Sequence, residues 1–285
     1  MIIDSPKAKP NIKILVACHK ADPNIRQDEI YLPVQVGKDL HPDLELGFQC
    51  DNTGDNISEK NGSYCELTAI YWAWKNLKNV DYIGLCHYRR YFDYEININN
   101  LKKDLEKYDV IAIKQKITPH SAEDALSSIL TREDLAIAIL DLIKLNKNKE
   151  RDIIDYFYKN NKLSRFNMFI MKWESFDRYC SSLFSFLDIL ENDIKPLPYN
   201  RLKRAIGYIA EGFQGIFFKI NNFKVKFVDP VILDGHYSNK LKGSLRKFRD
   251  NLIFSTLSKP NKVKIWSSVK VGLKQDGYAF DELQK

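Results

Sequence analysis

The chain has 285 residues, 44% apolar and 28% charged, with 15 Tyr and 16 Phe. That composition supplies a full hydrophobic core and excludes a largely disordered protein. The net charge of +7 is uneven, because ten Lys or Arg side chains between 238 and 274 stand against Asp250 alone and the remainder is slightly acidic.

In chain order, NIKILVAC (11–18) reads as a buried first strand, and HKADPNIRQDEIYLPVQVG follows as a loop of little periodicity. DNTGDNISEKNGSY (51–64) is loop chemistry. CELTAIYWAWKNLKN then reads as a helix, with Leu67, Ile70, Tyr71, Trp74 and Leu77 at helical spacing. Ser63 or Asn61 would cap it, and Glu66 stands three residues after Ser63 as in a capping box. A strand at 81–86 ends abruptly in His87, Tyr88, Arg89 and Arg90. The helix-like NLKKDLEKY, a strand DVIAIK (109–114), and helical pieces over 121–160 come next. A strand at 166–172 leads into a long helix. RLKRAIGYIAEGFQGIFFKI is a further helix whose glycines at 207, 212 and 215 point to close packing, and FKVKFVDPVIL closes with strand character.

Alternating strands and helices predict an α/β protein with a mostly parallel sheet. The charge balance places a boundary near 235, giving a body over 1–235 and a basic extension over 236–285. No apolar run reaches the ~18–20 residues that span a bilayer. The N-terminus MIIDSPKAKPNIK has no signal-peptide apolar stretch. Five cysteines, none in a CxxC pair, fit reduced thiols in a cytoplasmic protein.

In open α/β sheets ligands bind beyond the carboxyl ends of the strands. CHK at 18–20, the loop at 51–61 with Lys60, and HYRR at 87–90 all fall there. Cations meeting a helix N-terminus would make a phosphate site, and the planar Arg fork suits phosphate oxygens. Arginines at strand ends also pair commonly with surface carboxylates, and His87 is equally compatible with a satisfied, half-buried histidine. There is no P-loop, no GxGxxG and no metal-ligand spacing of His or Cys.

KILVACHK, DEIYLPVQVG, DNTGDNISEKNGSYCELTAIYWAWKN, DYIGLCHYRRYF and FNMFIMKWESFD resemble the signature blocks of the domain-of-unknown-function 4422 family. That family comprises bacterial glycosyltransferase-like proteins of capsule, exopolysaccharide and lipopolysaccharide loci. The resemblance covers roughly 12–230 and implies a GT-A-like, Rossmann-type fold. Such folds carry an Asp-x-Asp motif that holds a divalent metal. Here DYIGLCHYRR stands in the corresponding place, so the resemblance implies that His87, Arg89 and Arg90 neutralise the diphosphate and that no metal cofactor is needed. By the same resemblance Ala17, Cys18, His19 and Lys20 border the base and ribose. Asp51, Asn52 and Asn56 bond ribose or uracil, Lys60 lies near the phosphates, and Asn167 contacts the sugar. Glu211, an acid between glycines on an apolar helix, is the candidate base for the acceptor hydroxyl, and His236 a weaker phosphate or metal contact.

The basic tail, with Leu245, Phe248, Leu252, Ile253 and Phe254 broadly on one helical side and Trp266 beyond, predicts contact with an anionic membrane through 238–274. The leading expectation is a transferase of a UDP-linked hexose, galactose in pyranose or furanose form among the options. Its acceptor would be a glycan or lipid-linked species at the inner face of the bacterial inner membrane. A non-catalytic carbohydrate- or phosphate-binding protein is the alternative. Nucleic-acid binding is weakest, since no RRM, KH or helix-turn-helix pattern accompanies the cations.

Overall fold

A computed structural model describes residues 9–233 apart from 196, 198, 200 and 201, together with 252–254, 271, 274 and 277. The expected boundary at 235, His236 and nearly all of the basic segment 238–274 lie outside the described residues.

The strands are β1 (Ile12–Cys18), β2 (Tyr31–Gln35), β3 (Gln49–Cys50), β4 (Tyr82–His87), β5 (Arg90–Phe92), β6 (Val110–Ile113), β7 (Lys116–Ile117), β8 (Lys162–Leu163), β9 (Phe169–Lys172), β10 (Val225–Val228) and β11 (Pro230–Ile232). The α-helices are α1 (Asn61–Tyr64), α2 (Leu67–Asn76), α3 (Ile98–Leu105), α4 (Ala122–Leu126), α5 (Arg132–Leu145), α6 (Glu150–Tyr158), α7 (Trp173–Asp193) and α8 (Ala205–Ile220). Side-chain oxygens of Asn97, Ser121 and Thr131 cap α3, α4 and α5.

The main sheet runs β10-β6-β9-β4-β1-β2-β3, with β5 and β11 added as an antiparallel flap on the end of β4. Along that path β9 alone is antiparallel, to both β4 and β6. The mostly parallel α/β arrangement expected from the sequence is therefore present. Both faces are covered, which is why the central strands read as unbroken apolar runs. Leu15, Ala17, Ile83 and Leu85 face the side packed by α2, α5, α6, α7 and α8. Ile14, Val16, Cys18 and Cys86 face the other, with Leu101 and Leu105 of α3. This alternation decides which strand residues reach the functional rim.

Two local expectations change. The stretch 19–37 contains β2, hidden in the sequence by Pro33. Ile30 O accepts from Ile14 N and Val36 N donates to Cys18 O, so even-numbered residues bond to β1. Pro33 faces the opposite side, where β3 pairs only with Val34 and Gln35. The helix expected to start near 65 is broken: Cys65 has φ 54°, and α1 and α2 lie on either side of it. Ser63 and Glu66 form no capping box. The Asn61 amide instead bridges the break, donating to Cys65 O at 2.6 Å and to Thr68 Oγ1 at 3.0 Å.

The glycines of α8 do mark close packing. A Cβ at Gly207 would press on Cys65 Sγ at 3.1 Å, and one at Gly215 would overlap the Tyr156 and Ser164 hydroxyls. On its other side α8 packs through Phe213, stacked on Phe186 at 5.3 Å, and Phe217, edge-on to Tyr179 at 5.2 Å. Gly215→Ala is expected to destabilise the protein by about 1–3 kcal/mol, read as a lower urea midpoint at unchanged m; an unaltered midpoint would contradict this packing.

Candidate active site

β1 connects to β2 on one side and β4 lies on its other side, so strand order reverses between β1 and β4. At such a switch point the chain leaves the carboxyl ends of neighbouring strands in opposite directions and opens a crevice. A cavity of about 560 Å³ lies there. His19 follows β1, Val36 follows β2 and His87 ends β4. Because β9 runs antiparallel, its entry segment, Phe166–Met168, reaches the same rim. The cavity is closed by α1, by the α1–α2 joint and by the first turns of α8.

One side is cationic. The β4 strand does not run on beyond His87 but folds back, pairing His87 with Arg90. The two-residue tip is pinned by Tyr88 N donating to Ala17 O at 3.3 Å and by Leu233 N donating to Arg89 O at 2.9 Å. A continuing strand would have sent Arg89 and Arg90 to opposite faces; the reversal brings both to the cavity. Arg89 Nε donates to the half-buried Asp22 Oδ2 at 2.8 Å. The Asn24 amide, followed by that guanidinium, holds the Asp22 carboxyl below its ordinary range. Arg204, just before α8, donates from Nε to Cys65 Sγ at 3.1 Å and lies 5.5 Å from the Tyr208 ring. His19 meets Tyr88 edge-on at 5.2 Å. Its packing, and then the charges of Lys20, Arg204 and Arg89, hold its imidazole below its usual pKa.

The other side carries two carboxylates, Glu66 at the helix break and Glu211 on α8. Arg204, Tyr208 and Glu211 recur at helical spacing on one face of α8, while Ile206, Ile209, Ala210 and Phe213 go to the core. Burial and then the Glu66 charge push the Glu211 carboxyl up from 4.5 to about 8, against the Phe166 amide and the charges of Arg90 and Arg165, which pull it down.

Phe166 and Asn167 join the two sides. Both have left-handed backbones, φ 72° and 51°. The Phe166 carbonyl accepts from His87 Nε2 at 2.7 Å, and its amide donates to Glu211. A carbonyl acceptor requires the proton on Nε2, leaving Nδ1 as the lone-pair nitrogen of the neutral ring. The Arg90 and Arg165 guanidiniums both lie over the Phe166 ring, at 4.6 and 5.0 Å from its centroid. Asn167, fully buried, donates from Nδ2 to Glu66 Oε1 at 2.8 Å and to Gly207 O at 3.4 Å.

Of the residues singled out in the sequence, Ala17, His19, His87, Arg89, Arg90 and Glu211 line this cavity. Cys18 does not: strand alternation turns it to the opposite sheet face, where burial raises its thiol to about 12. Lys20 is exposed beside His19. Asp51 is fully buried and organises the fold, accepting from Gly37 N (2.8 Å), Lys38 N (3.2 Å), Ser58 Oγ (2.5 Å) and Thr68 Oγ1 (2.6 Å). Those bonds use both its oxygens, so it has no capacity turned toward a ribose. Asn52 donates to Asp39, and Asn56 bonds Gly54 O and Ser58 N within its own loop. Lys60 pairs with Glu191 at 2.6 Å, away from the cavity. Asn167 sits behind Glu66 rather than on the cavity wall. Glu66, Arg204, Tyr208, Phe166 and Asn61 were not singled out as site residues. Arg204 and Tyr208 were within reach of the helical pattern that pointed to Glu211; Glu66 was not, because its helix reads as continuous.

Among the described residues no group of three or more His, Cys, Asp or Glu side chains is placed to hold a metal ion, and no helix is long and apolar enough to cross a membrane.

Comparison with known proteins places these features in context. The family model described as Domain of unknown function (DUF4422) matches residues 13–222. No curated protein matches the sequence. A solved chain described as the apo structure of the bifunctional glycosyltransferase WbbM superposes with a TM-score of 0.69 at 30% identity. The match covers 79% of this chain and 46% of that one, so the present chain spans less than half of WbbM.

The raised Glu211 carboxyl has a consequence for stability. The folded state holds a proton that the unfolded chain releases near 4.5, so this group's contribution is complete below about 4.5 and is lost as pH rises through about 8. Wild type should therefore lose stability between those limits, and Glu211→Gln should flatten that slope in urea titrations at stepped pH; identical slopes would contradict the burial of this carboxyl.

Proposed function

The chain belongs to the DUF4422 family, and we propose that it is a glycosyltransferase that moves a hexosyl group from a UDP-sugar to a glycan or lipid-linked acceptor. The observation that carries this reading is the meeting of Arg89, Arg90 and Arg204 with Glu66 and Glu211 in one cavity at the switch point of a mostly parallel sheet. The 30% identity with a glycosyltransferase supports it.

In this reading the donor diphosphate lies against Arg89, Arg90 and Arg204, with His19 and His87 at the strand ends. Guanidiniums pre-aimed by Asp22, Phe166 and Cys65 lose little freedom on meeting phosphate oxygens. The ionised form of Glu211 takes the proton of the acceptor hydroxyl. The acceptor oxygen then bonds the anomeric carbon as the carbon–oxygen bond to the diphosphate breaks, and the charge on the departing UDP is met by the arginines. This is the arrangement an inverting transfer requires. A divalent ion is not needed for that charge balance, so we assign none. The basic segment 238–274 brings the protein to an anionic, cytoplasm-facing membrane surface where a lipid-linked acceptor would reside.

A thermal-shift screen of nucleotides and sugar nucleotides, with and without EDTA, tests the donor reading. UDP-hexoses should raise the melting temperature equally in both conditions. Arg204→Ala and Arg90→Ala should each cost about 1.5–3 kcal/mol of binding, a tenfold or greater rise in Kd, at unchanged fold. Glu211→Gln should bind the donor yet lose at least a hundredfold in turnover. Binding without any release of UDP in wild type would make the protein a sugar-phosphate-binding one, and a shift abolished by EDTA would restore a metal to the site. Separately, truncation before 238 should release the protein from phosphatidylserine-containing liposomes; persistent sedimentation would place the membrane contact in the body.

A further inference from the structure

Cys65 stands where the backbone suits glycine. Its φ of 54° and ψ of −128° make a corner between α1 and α2 that side chains rarely adopt. The Asn61 amide, donating to Cys65 O at 2.6 Å, locks that corner. On α8, Gly207 leaves room for the side chain: a Cβ there would lie 3.1 Å from Cys65 Sγ and 3.3 Å from its Cβ. A non-glycine residue at such a φ is costly and persists where the surroundings enforce a geometry. The contact enforced here is with Arg204, whose Nε donates to Sγ at 3.1 Å.

The partner of Arg204 is a neutral atom. Burial, and then the Glu66 charge, push the Cys65 thiol up to about 11 although Arg204 pulls it down. The thiol proton is directed to Ser63 O at 3.8 Å, which leaves the sulfur lone pairs for the guanidinium. Glu66 and Glu211 line the same cavity, yet among the described residues Arg204 forms no ion pair. Nor do its Nη1 and Nη2 form a hydrogen bond there. Arg89 is the contrasting case, since the Asp22 carboxylate cancels part of its charge within the protein.

We propose that Cys65 is a positioning residue whose thiol holds the Arg204 guanidinium over the cavity without neutralising it, leaving Nη1 and Nη2 to meet a phosphate or diphosphate group end-on. A planar guanidinium fixed through Nε presents its two terminal nitrogens as a fork that matches phosphate oxygens. The inference rests on the transferase reading for the donor that carries the diphosphate; the anion contact itself needs no transfer.

The test is a double-mutant cycle on the affinity of the full-length protein for inorganic pyrophosphate and for UDP, read by isothermal titration calorimetry. Cys65→Ala should raise Kd about three- to tenfold in wild type. In an Arg204→Ala background it should change Kd by less than about twofold, because the sulfur acts through that guanidinium. Cys65→Ser keeps an acceptor and should stay within about twofold of wild type. Cys65→Asp also holds the guanidinium but cancels its charge, so it should bind more weakly than Cys65→Ala. Without any ligand, the Nε–H signal of Arg204 in ¹⁵N-labelled protein, assigned by its loss in Arg204→Ala, should exchange with water faster in Cys65→Ala than in wild type. An equal rise in Kd in both backgrounds would make Cys65 merely structural and overturn the proposal. So would a Cys65→Ala protein with unchanged Kd and exchange, or a wild type that binds neither anion. Binding by Cys65→Asp as tight as by wild type would overturn the need for a neutral partner. A protein that passes the cycle yet releases no UDP from any UDP-hexose would keep the role of Cys65 and lose the transferase reading, so the two failures are distinguishable.

Discussion

The site depends on one strained joint. Phe166 and Asn167 adopt left-handed backbones in succession, one residue ahead of β9. Each non-glycine residue in that region costs on the order of 1–3 kcal/mol, and the surrounding bonds over-determine the conformation. The Phe166 carbonyl orients His87, its amide reaches Glu211, its ring meets the Arg90 and Arg165 guanidiniums, and the neighbouring Asn167 amide holds Glu66. A conventional extended entry to β9 would point alternate groups to opposite faces and separate these contacts. The backbone twist is thus what allows one segment to fix both the cationic rim and the carboxylate wall.

The sheet supplies the frame for that joint. A parallel sheet buried on both faces leaves only its strand ends available, and the reversal of order at β1 and β4 opens a crevice there. The antiparallel β9 then delivers its beginning, not its end, to the rim where β1, β2 and β4 finish. Aromatic packing of Phe213 and Phe217 against α7 fixes α8 on that frame. The close approach of Gly207 to Cys65 brings the Arg204–Tyr208–Glu211 face over the cavity. Arg89 and Arg90 reach the cavity from the strand end, Glu66 from the α1–α2 joint, and Arg204 and Glu211 from α8 and its lead-in.

Much of this was legible in the amino-acid sequence, and the exceptions have physical causes. The abrupt change from Ile83–Cys86 to His87–Arg90 shows a buried strand delivering polar groups to its end, and Glu211 stands out as an acid on an apolar helix. Alternation alone, applied to β1, separates Ala17 from Cys18. The loop residues Asp51, Asn52, Asn56 and Lys60 have the composition of a polar binding loop, but their hydrogen bonds are local or structural. Composition cannot tell a loop that binds a ligand from one that binds itself. Glu66 was hidden because the period of α2 runs back smoothly through Cys65, and nothing in residue type announces a positive φ there. The joint at Phe166 was invisible for the same reason: left-handed backbone at phenylalanine is set by tertiary contacts, not by propensity.

Pro33 has a bearing beyond its concealment of β2. It occupies the side of that strand that the two-residue β3 does not reach, where it is buried and offers no N–H. Any other residue there would bury a backbone donor beyond the end of the ladder, and such a donor is costly without a partner. The sheet can therefore stop its pairing early at β3 without orphaning that group, an economy written into the backbone chemistry of a single imino acid.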